Sequence, residues 1–208
     1  MEAIIEKFDL QKADPNYYKV SSKPEIRDLD PYYYLTVEGR GHPESEPVWN
    51  AVSQLYAVAY GVKFTCKAED MDFKVPKMEG FWWIDGGPEA QKNFTLTPKE
   101  QWNWKFLIRM PDFVEGDHFY RAVQKVKTKN PELIANDEVK FELINEGKCV
   151  QILHIGSYDE EEPTIMKMIE FMQKNELTMN GHHHEIYLSD PRKTPTEKLR
   201  TIIRYAVK

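Results

Sequence analysis

The pattern of apolar and polar positions predicts a strand, a helix and two more strands in the first half of the chain. A β-rich run at residues 32–38 comes first, and strand-like runs at 73–84 and 101–108 follow the helix. The helical stripe consists of Val48, Val52, Leu55, Ala59 and Val62. These residues recur every three to four positions, so they share one helical face. The first half therefore has the order β-α-β-β.

The same order returns in the second half of the chain. A helix at 117–128 and an alternating strand at 139–143 precede it, and residues 145–148 predict a hairpin turn into the next strand. The second unit has a strand at 150–155, a helix from near Pro163, and strands at 182–189 and 199–207. Sequence identity between the two units is not visible, so the repeat is one of pattern.

Two β-α-β-β units predict an α+β fold with a mostly antiparallel sheet. We expect the amphipathic helices to pack on one face of this sheet and a ligand groove to form on the other. Residues 1–30 are polar and interrupted by prolines, which indicates an irregular lead-in. The domain would cover residues 31–208, with a first unit at about 31–110, an inserted helix and strand at about 115–145, and a second unit at about 148–208.

Composition excludes several classes of function. The net charge of −6 comes without a long basic block, so the electrostatic footprint of nucleic-acid binding is missing. The two cysteines, Cys66 and Cys149, are far apart, which favours a reduced, cytoplasmic setting. No signal peptide or membrane span is indicated. A Gly-rich phosphate loop and a Ser nucleophile elbow are also absent, which disfavours nucleotide and acyl-transfer chemistry.

Aromatic residues are abundant and clustered, at 12% of the chain. Aromatic side chains are the usual lining of small-molecule pockets, and flat ligands stack well on them. The candidates for such a lining are Trp82, Trp102, Trp104, Tyr56 and Tyr60. For any one of them, ordinary core packing is the alternative interpretation.

Glu185 is the strongest candidate for chemistry. Side chains alternate along the strand at 182–189, so Glu185, Tyr187 and His183 share one face. Glu185 could act as a general base to water, as an acid, or as the partner of a cationic ligand. Tyr187 could donate a hydrogen bond to a ligand carbonyl. The alternative is a solvated carboxylate and a tyrosine that covers the sheet.

The histidines suggest a metal site at first, but their spacing argues against one. Consecutive residues of a strand point to opposite faces, so His182, His183 and His184 cannot all reach one ion. No Cys or carboxylate completes a spacing of zinc type. We therefore expect no metal and no cofactor, and we keep His183 and His154 as candidate ligand-binding residues.

Several motifs resemble the stand-alone bacterial branch of the GyrI-like small-molecule-binding domain family. They are HHEIYLSDPR at 183–192, MEGFWW at 78–83, WNW at 102–104, MPDFV at 110–114 and LHIGSY at 153–158. The resemblance spans about residues 23–208 and implies a pseudo-symmetric pair of β-α-β-β units with a ligand groove near their junction. The DNA-binding domain of the family's transcription regulators has no counterpart in this chain.

The resemblance also implies a function. Some stand-alone members resemble hydrolases that open the cyclopropane ring of DNA-alkylating natural products, and the family's hallmark acidic residue corresponds to Glu185. The expected partner is thus a planar, hydrophobic, aromatic small molecule, and the expected activity is hydrolytic detoxification in the cytoplasm. A non-catalytic, multidrug-type binding or sequestering module is the alternative. A gyrase-interacting protein is a weaker one, since nothing in the residues points to gyrase.

Overall fold

Eight antiparallel strands form one sheet in the computed structural model, which describes residues 7–133 and 138–208. The strands are β1 (Glu25–Leu29), β2 (Tyr32–Arg40), β3 (Met78–Trp83), β4 (Asn103–Arg109), β5 (Lys140–Ile144), β6 (Gly147–Ile155), β7 (His183–Tyr187) and β8 (Arg200–Ala206). Their order across the sheet is β1-β6-β8-β7-β3-β4-β2-β5. The predicted α+β class and antiparallel sheet are confirmed. Residues 1–6 of the predicted lead-in and 134–137 of the predicted insertion lie outside the described residues.

The described part of the fold also contains six α-helical segments and four short 3-10 helices. The α-helical segments are α1 (Leu10–Ala13), α2 (Pro15–Tyr18), α3 (Glu46–Lys67), α4 (Gly87–Ala90), α5 (Gly116–Lys129) and α6 (Glu162–Lys174). Proline stands in the first turn of α3 and of α6, where its missing N–H is not needed. A reciprocal pair of hydrogen bonds between Glu115 and His118 caps the start of α5. None of these helices is both long and apolar enough to cross a membrane.

The predicted repeat is confirmed by the topology. One unit is β2-α3-β3-β4, and the other is β6-α6-β7-β8. Strand β3 of the first unit and strand β7 of the second are neighbours at the centre of the sheet. The units join where β3 pairs with β7, which sets Gly80 opposite Glu185 and Trp82 opposite His183. Strand β7, which carries the candidate acid, therefore lies at the junction of the units.

The three long helices share the sheet face that carries Glu185. Helix α3 packs with α5 against β2, β3 and β4 in a core that includes Leu55 and Phe106. Helix α6 packs Met168 and Met172 against Ile203 of β8, and Ile203 pairs with Glu185. Glu185 therefore does not lie in the predicted groove, which was expected on the face without helices.

The opposite face is covered by residues 7–29, hereafter the N-terminal segment. Leu10, Tyr17 and Tyr18 of the short helices α1 and α2 pack against Ile186 and Ile202. Strand β1 then pairs with β6 along the edge of the sheet. The expected irregular lead-in thus contains two helices and a strand, because its apolar side chains bury the face that Ile186 presents.

The predicted hairpin at residues 145–148 is wrong. Strand β5 pairs with β2, whereas β6 pairs with β1 and β8, so β5 and β6 are not neighbours. Glu146 lies in the short link between them, and Gly147 follows with a φ of +60°, a conformation that glycine adopts without strain. The Glu146 side chain is buried, where it pairs with His184 and Arg204.

A polar network lies buried beneath the N-terminal segment. His184 stands between Glu79 and Glu146, with N···O distances of 3.0 and 3.1 Å. Tyr17 donates its hydroxyl to Glu79, and Arg204 contacts Glu146 at 3.4 Å. Buried charges need such partners, because an unpaired charge in an apolar interior is costly.

This network predicts a loss of stability in acid. Burial alone would raise the pKa of Glu146, but His184 and Arg204 outweigh burial and lower that pKa from 4.5 to about 2. A lowered folded-state pKa stabilises the protein above the unfolded value, and this contribution disappears as the pH falls from about 4.5 towards 2. We expect urea denaturation to show the free energy of unfolding falling in this window. Glu146→Gln should be less stable at pH 7 and should lose less on acidification, and an equally steep acid loss in this variant would contradict the assignment.

Candidate functional site

The candidate site lies where β7 meets β3, on the face that carries the long helices. His183, Glu185 and Tyr187 alternate along β7 and share one face, as predicted, but the long helices cover that face, whereas the opposite face was expected to carry them. The first two are 8% and 9% exposed. Helix α3 packs over the β2–β4 side of the sheet and α6 over the β6–β8 side. The three side chains therefore lie between the regions that these two helices cover.

The His183 imidazole stands between two carboxylates. Its Nε2 atom lies 2.9 Å from Oε1 of Glu185 and 3.3 Å from Oε2 of Glu161, the residue directly before α6. Its Nδ1 atom lies 2.7 Å from the hydroxyl of Tyr205 on β8. The ring is thus held from both sides, and β7, β8 and the start of α6 all contribute to the site.

The close carboxylates perturb one another. Burial, then the charge of Glu185, raises the pKa of Glu161 from 4.5 to about 7, although His183 partly opposes this. Burial would lower the pKa of His183, but Tyr205, Glu161 and Glu185 outweigh burial and raise it well above 6.5. The cluster therefore favours the binding of a proton or another cation, because a positive charge relieves the repulsion between the two carboxylates.

Tyr187 is arranged as a hydrogen-bond donor. The indole Nε1 of Trp82 donates to the Tyr187 hydroxyl oxygen at 2.9 Å. Because an indole N–H can only donate, the tyrosine oxygen accepts this bond and its own hydrogen is left for another acceptor. Burial and the charge of Glu185 raise the pKa of Tyr187, so the hydroxyl stays protonated at neutral pH.

Gly80 makes room for this arrangement. It faces Glu185 across the β3–β7 pair, and a Cβ atom at position 80 would lie 2.7 Å from the Tyr187 hydroxyl and 3.1 Å from Nε1 of Trp82. Any larger residue would therefore push the two hydrogen-bonded groups apart. A glycine inside a strand often marks such a close approach.

Aromatic rings continue from Trp82 towards the connection between β3 and β4 (residues 87–101, hereafter the β3–β4 connection). Trp102 meets Trp82 edge-on, with ring centroids 5.9 Å apart. Phe94 of the β3–β4 connection stacks on Trp102 at 4.1 Å and lies 6.1 Å from the His183 ring. Lys99 of the same connection reaches Asp159 at 3.0 Å, close to the start of α6. The β3–β4 connection thus borders the site and is tied to its α6 side by an exposed ion pair.

Four further residues were predicted to bind the ligand, and the structure does not place all of them at this site. They are Trp104, Tyr56, Tyr60 and His154. Trp104 shares the face but is 3% exposed, stacks on Phe106 at 5.0 Å and packs on Gly39. Tyr60 is 48% exposed on α3 and lies against Phe64, while Tyr56 is half-buried one turn earlier. His154 lies on β6, with one ring nitrogen bonded to Thr164 and the other to the Ser157 carbonyl. His154 therefore anchors the start of α6.

Glu161, Tyr205 and Phe94 contact the site but are not among the residues that the sequence predicts for it. Glu161 stands in a run of three glutamates at the start of a helix, a position where carboxylates are favourable for electrostatic reasons alone. Its neighbour Glu160 is exposed, while Glu161 is 5% exposed. No periodicity distinguishes the two, since the path of the chain after Gly156 decides which one turns inward.

Three residues of the site could hold a metal ion. Glu161, His183 and Glu185 each offer one ligand atom, and these atoms all lie within 4.8 Å of one another. Of the three consecutive histidines, only His183 belongs to the cluster. Of the two carboxylates that complete it, Glu185 follows His183 by two residues on β7, and Glu161 comes from the segment directly before α6.

Comparison with known proteins identifies solved structures that match 97–98% of this chain. The model of the GyrI-like small molecule binding domain family matches residues 109–208. A crystal structure of an uncharacterized conserved protein from Listeria innocua is 36% identical, with a TM-score of 0.89 over 97% of this chain and 100% of that chain. Two structures of a hydrolase from Listeria innocua are similar. One has 34% identity and a TM-score of 0.84 over 97% of this chain and 100% of the other. The second has 35% identity and a TM-score of 0.87 over 98% of this chain and 100% of the other. No curated protein matches the sequence.

Proposed function

Because the chain belongs to the GyrI-like small-molecule-binding domain family, we propose that its central site binds a planar hydrophobic molecule and opens a cyclopropane ring in it by adding water. The observation that carries this proposal is the pairing of Glu185 with Tyr187 on one face of β7. One residue is a carboxylate base, and the other is a neutral hydroxyl whose hydrogen is free to donate.

Binding would use the aromatic rings beside this pair. Phe94 stacks on Trp102 at 4.1 Å with an interplanar angle of 27°, which is the geometry that a flat ligand would adopt on the same ring. The exposed Lys99–Asp159 pair that ties the β3–β4 connection down contributes little stability, so this pair opposes displacement of Phe94 by a ligand only weakly. The faces of Trp104 are occupied by Phe106 and Gly39, so Trp102 is the better stacking partner.

The proposed reaction begins at Glu185. Its carboxylate accepts a proton from a water molecule while the water oxygen forms a bond to a cyclopropane carbon. A carbon–carbon bond of the strained ring breaks, and its electron pair moves through the conjugated system to the ligand's carbonyl oxygen. Tyr187 gives its hydroxyl proton to that oxygen, and the proton on Glu185 then returns to Tyr187. The sum is the addition of one water, with no net oxidation.

The relatives support hydrolysis in general terms. Two of the similar Listeria structures are of a hydrolase, at 34% and 35% identity over 97% and 98% of this chain. The choice of a cyclopropane substrate rests on the motif resemblance and on the fit of a base and a donor to that reaction. A ring opening of this kind would detoxify a DNA-alkylating compound, because the electrophilic carbon is consumed.

The test is to incubate the purified protein with a cyclopropane-containing duocarmycin-type compound and to measure product masses. We expect the compound to gain one water. If it is recovered unchanged while it quenches tryptophan fluorescence, the protein is a binding module and the hydrolase proposal fails. If neither change occurs, this substrate class is wrong.

The role of Tyr187 gives a separate prediction. Tyr187→Phe removes the donor for the ligand carbonyl, and loss of one such donor reduces kcat by about 10²-fold or more. The affinity for the compound should change much less, because the ring remains. Single-turnover rates and fluorescence titration measure the two effects. Tyr158→Phe, on a ring that meets Tyr187 edge-on at 5.8 Å, is the control and should keep turnover. Equal rates in Tyr187→Phe and the native protein would rule out the donor role.

A further inference from the structure

The cluster of Glu161, His183 and Glu185 has the donor geometry of a metal site. Its three ligand atoms come from two separate parts of the chain, the start of α6 and strand β7. The Nε2 atom of His183 lies 2.9 and 3.3 Å from the nearer oxygens of Glu185 and Glu161. Ligands that bind one ion at about 2.0–2.2 Å are themselves about 3.0–3.5 Å apart in octahedral or tetrahedral geometry. The two distances from His183 fit this range, and all three ligand atoms lie within 4.8 Å of one another.

The cluster also has an acceptor without a partner. Oxygen Oε1 of Glu161 is buried and makes no hydrogen bond among the described residues. Glu161, His183 and Glu185 are each less than a tenth exposed, so water cannot freely solvate two carboxylates at this depth. A buried carboxylate is stabilised by pairing or by coordinating a metal. One divalent ion would balance both negative charges and engage the free oxygen.

Tyr205 supplies the outer support that such a site needs. Its hydroxyl lies 2.7 Å from Nδ1 of His183, opposite the nitrogen that faces the carboxylates. A proton held at Nδ1 by this hydroxyl leaves the lone pair of Nε2 directed at the cluster. Metal-bound histidines typically have a partner of this kind on the second ring nitrogen, which fixes the tautomer and the ring.

We propose that Glu161, His183 and Glu185 bind one divalent transition-metal ion, such as Zn²⁺ or Mn²⁺. One imidazole and two carboxylates suit these ions better than soft ions, which prefer thiolates. Three protein ligands leave at least one coordination position for water or a ligand atom. Metal binding does not depend on the proposed ring opening. If both hold, the two compete, because a bound ion occupies the lone pair with which Glu185 would accept a proton.

The experiment uses the full chain, freed of metal with a chelator, and calorimetric titration with Zn²⁺ and separately with Mn²⁺. We expect one ion per chain with a micromolar or tighter Kd for at least one of the two. Glu161→Gln, which keeps the size of the side chain, should weaken binding at least tenfold. Tyr205→Phe should weaken it by about tenfold, as expected for a second-sphere partner. His182→Ala and Glu160→Gln, neighbours outside the cluster, should bind like the native protein.

The results separate this proposal from its alternatives. If the native protein binds neither ion stoichiometrically, or if Glu161→Gln and Tyr205→Phe bind as tightly as the native chain, the metal site is refuted. Circular dichroism of each variant shows whether it is folded. Failure of the ring-opening assay would leave the calorimetric result unaffected, so the two proposals stand or fall separately. Inhibition of ring opening by the bound ion, lifted by chelator, is expected only if both are right.

Discussion

Replacing Glu185 with glutamine will slow ring opening by about 10²–10⁴-fold while leaving ligand binding nearly intact. The amide is as large as the carboxylate and can still hydrogen-bond to the His183 nitrogen 2.9 Å away, so the site keeps its shape. It cannot accept a proton from water, and loss of a general base costs about 10²–10⁴-fold in rate. The measurement is the rate of water addition by mass spectrometry, with the affinity for the same compound from tryptophan fluorescence.

A matched control distinguishes this effect from a general loss of charge. Glu197 is exposed and lies outside the central site, and Glu197→Gln should keep both rate and affinity. Turnover that survives in Glu185→Gln would remove Glu185 from the mechanism. A joint loss of rate and affinity would instead assign Glu185 to ligand binding.

Replacing Arg204 with methionine will destabilise the protein by about 3–5 kcal/mol, which is the usual consequence of removing one partner of a buried ion pair. Arg204 is fully buried on β8, on the face opposite Glu185. Its guanidinium donates to the Gln151 side chain at 3.0 and 3.1 Å and to the Tyr17 carbonyl at 3.0 Å. It also lies 3.4 Å from Glu146, which would be left buried with less compensation.

Urea denaturation measures this loss as a change in the free energy of unfolding. The control is Arg200→Met, at an exposed position of the same strand, where we expect a change within about 0.5 kcal/mol. If the two variants lose equal stability, strand propensity explains the effect and the buried network does not. Because Tyr17 belongs to the N-terminal segment, the Arg204 variant should also expose that segment to proteolysis at lower urea than the control.

The two sheet faces are linked through neighbouring histidines. His183 stands between Glu161 and Glu185 on one face, and His184 between Glu79 and Glu146 on the other. Both rings are buried on the short strand β7. The network beneath the N-terminal segment thus holds the strand that carries the candidate base. Substitutions in this network should therefore be judged by stability before activity.

Much of the fold follows from the order of residues along the chain. The apolar stripe from Val48 to Val62 correctly predicted α3, and the helical and alternating patterns of the second unit correctly predicted α6 and the repeated β-α-β-β order. Alternation along β7 also correctly put Glu185, Tyr187 and His183 on one face. These features depend on periods of two and 3.6 residues, which each segment carries in its own sequence.

Tertiary structure alone decided which face was covered and which distant groups met. Alternation shows that Ile186 and Glu185 face opposite ways, but only the packing of Tyr17 and Leu10 on Ile186 shows that the N-terminal segment takes that side. The predicted hairpin after β5 failed for the same reason, because strand partners are chosen across the whole chain. Glu161 meets Glu185 at His183 because the segment between β6 and α6 carries Glu161 to the site. Such contacts depend on the sum of many distant packing energies, and no local pattern records them.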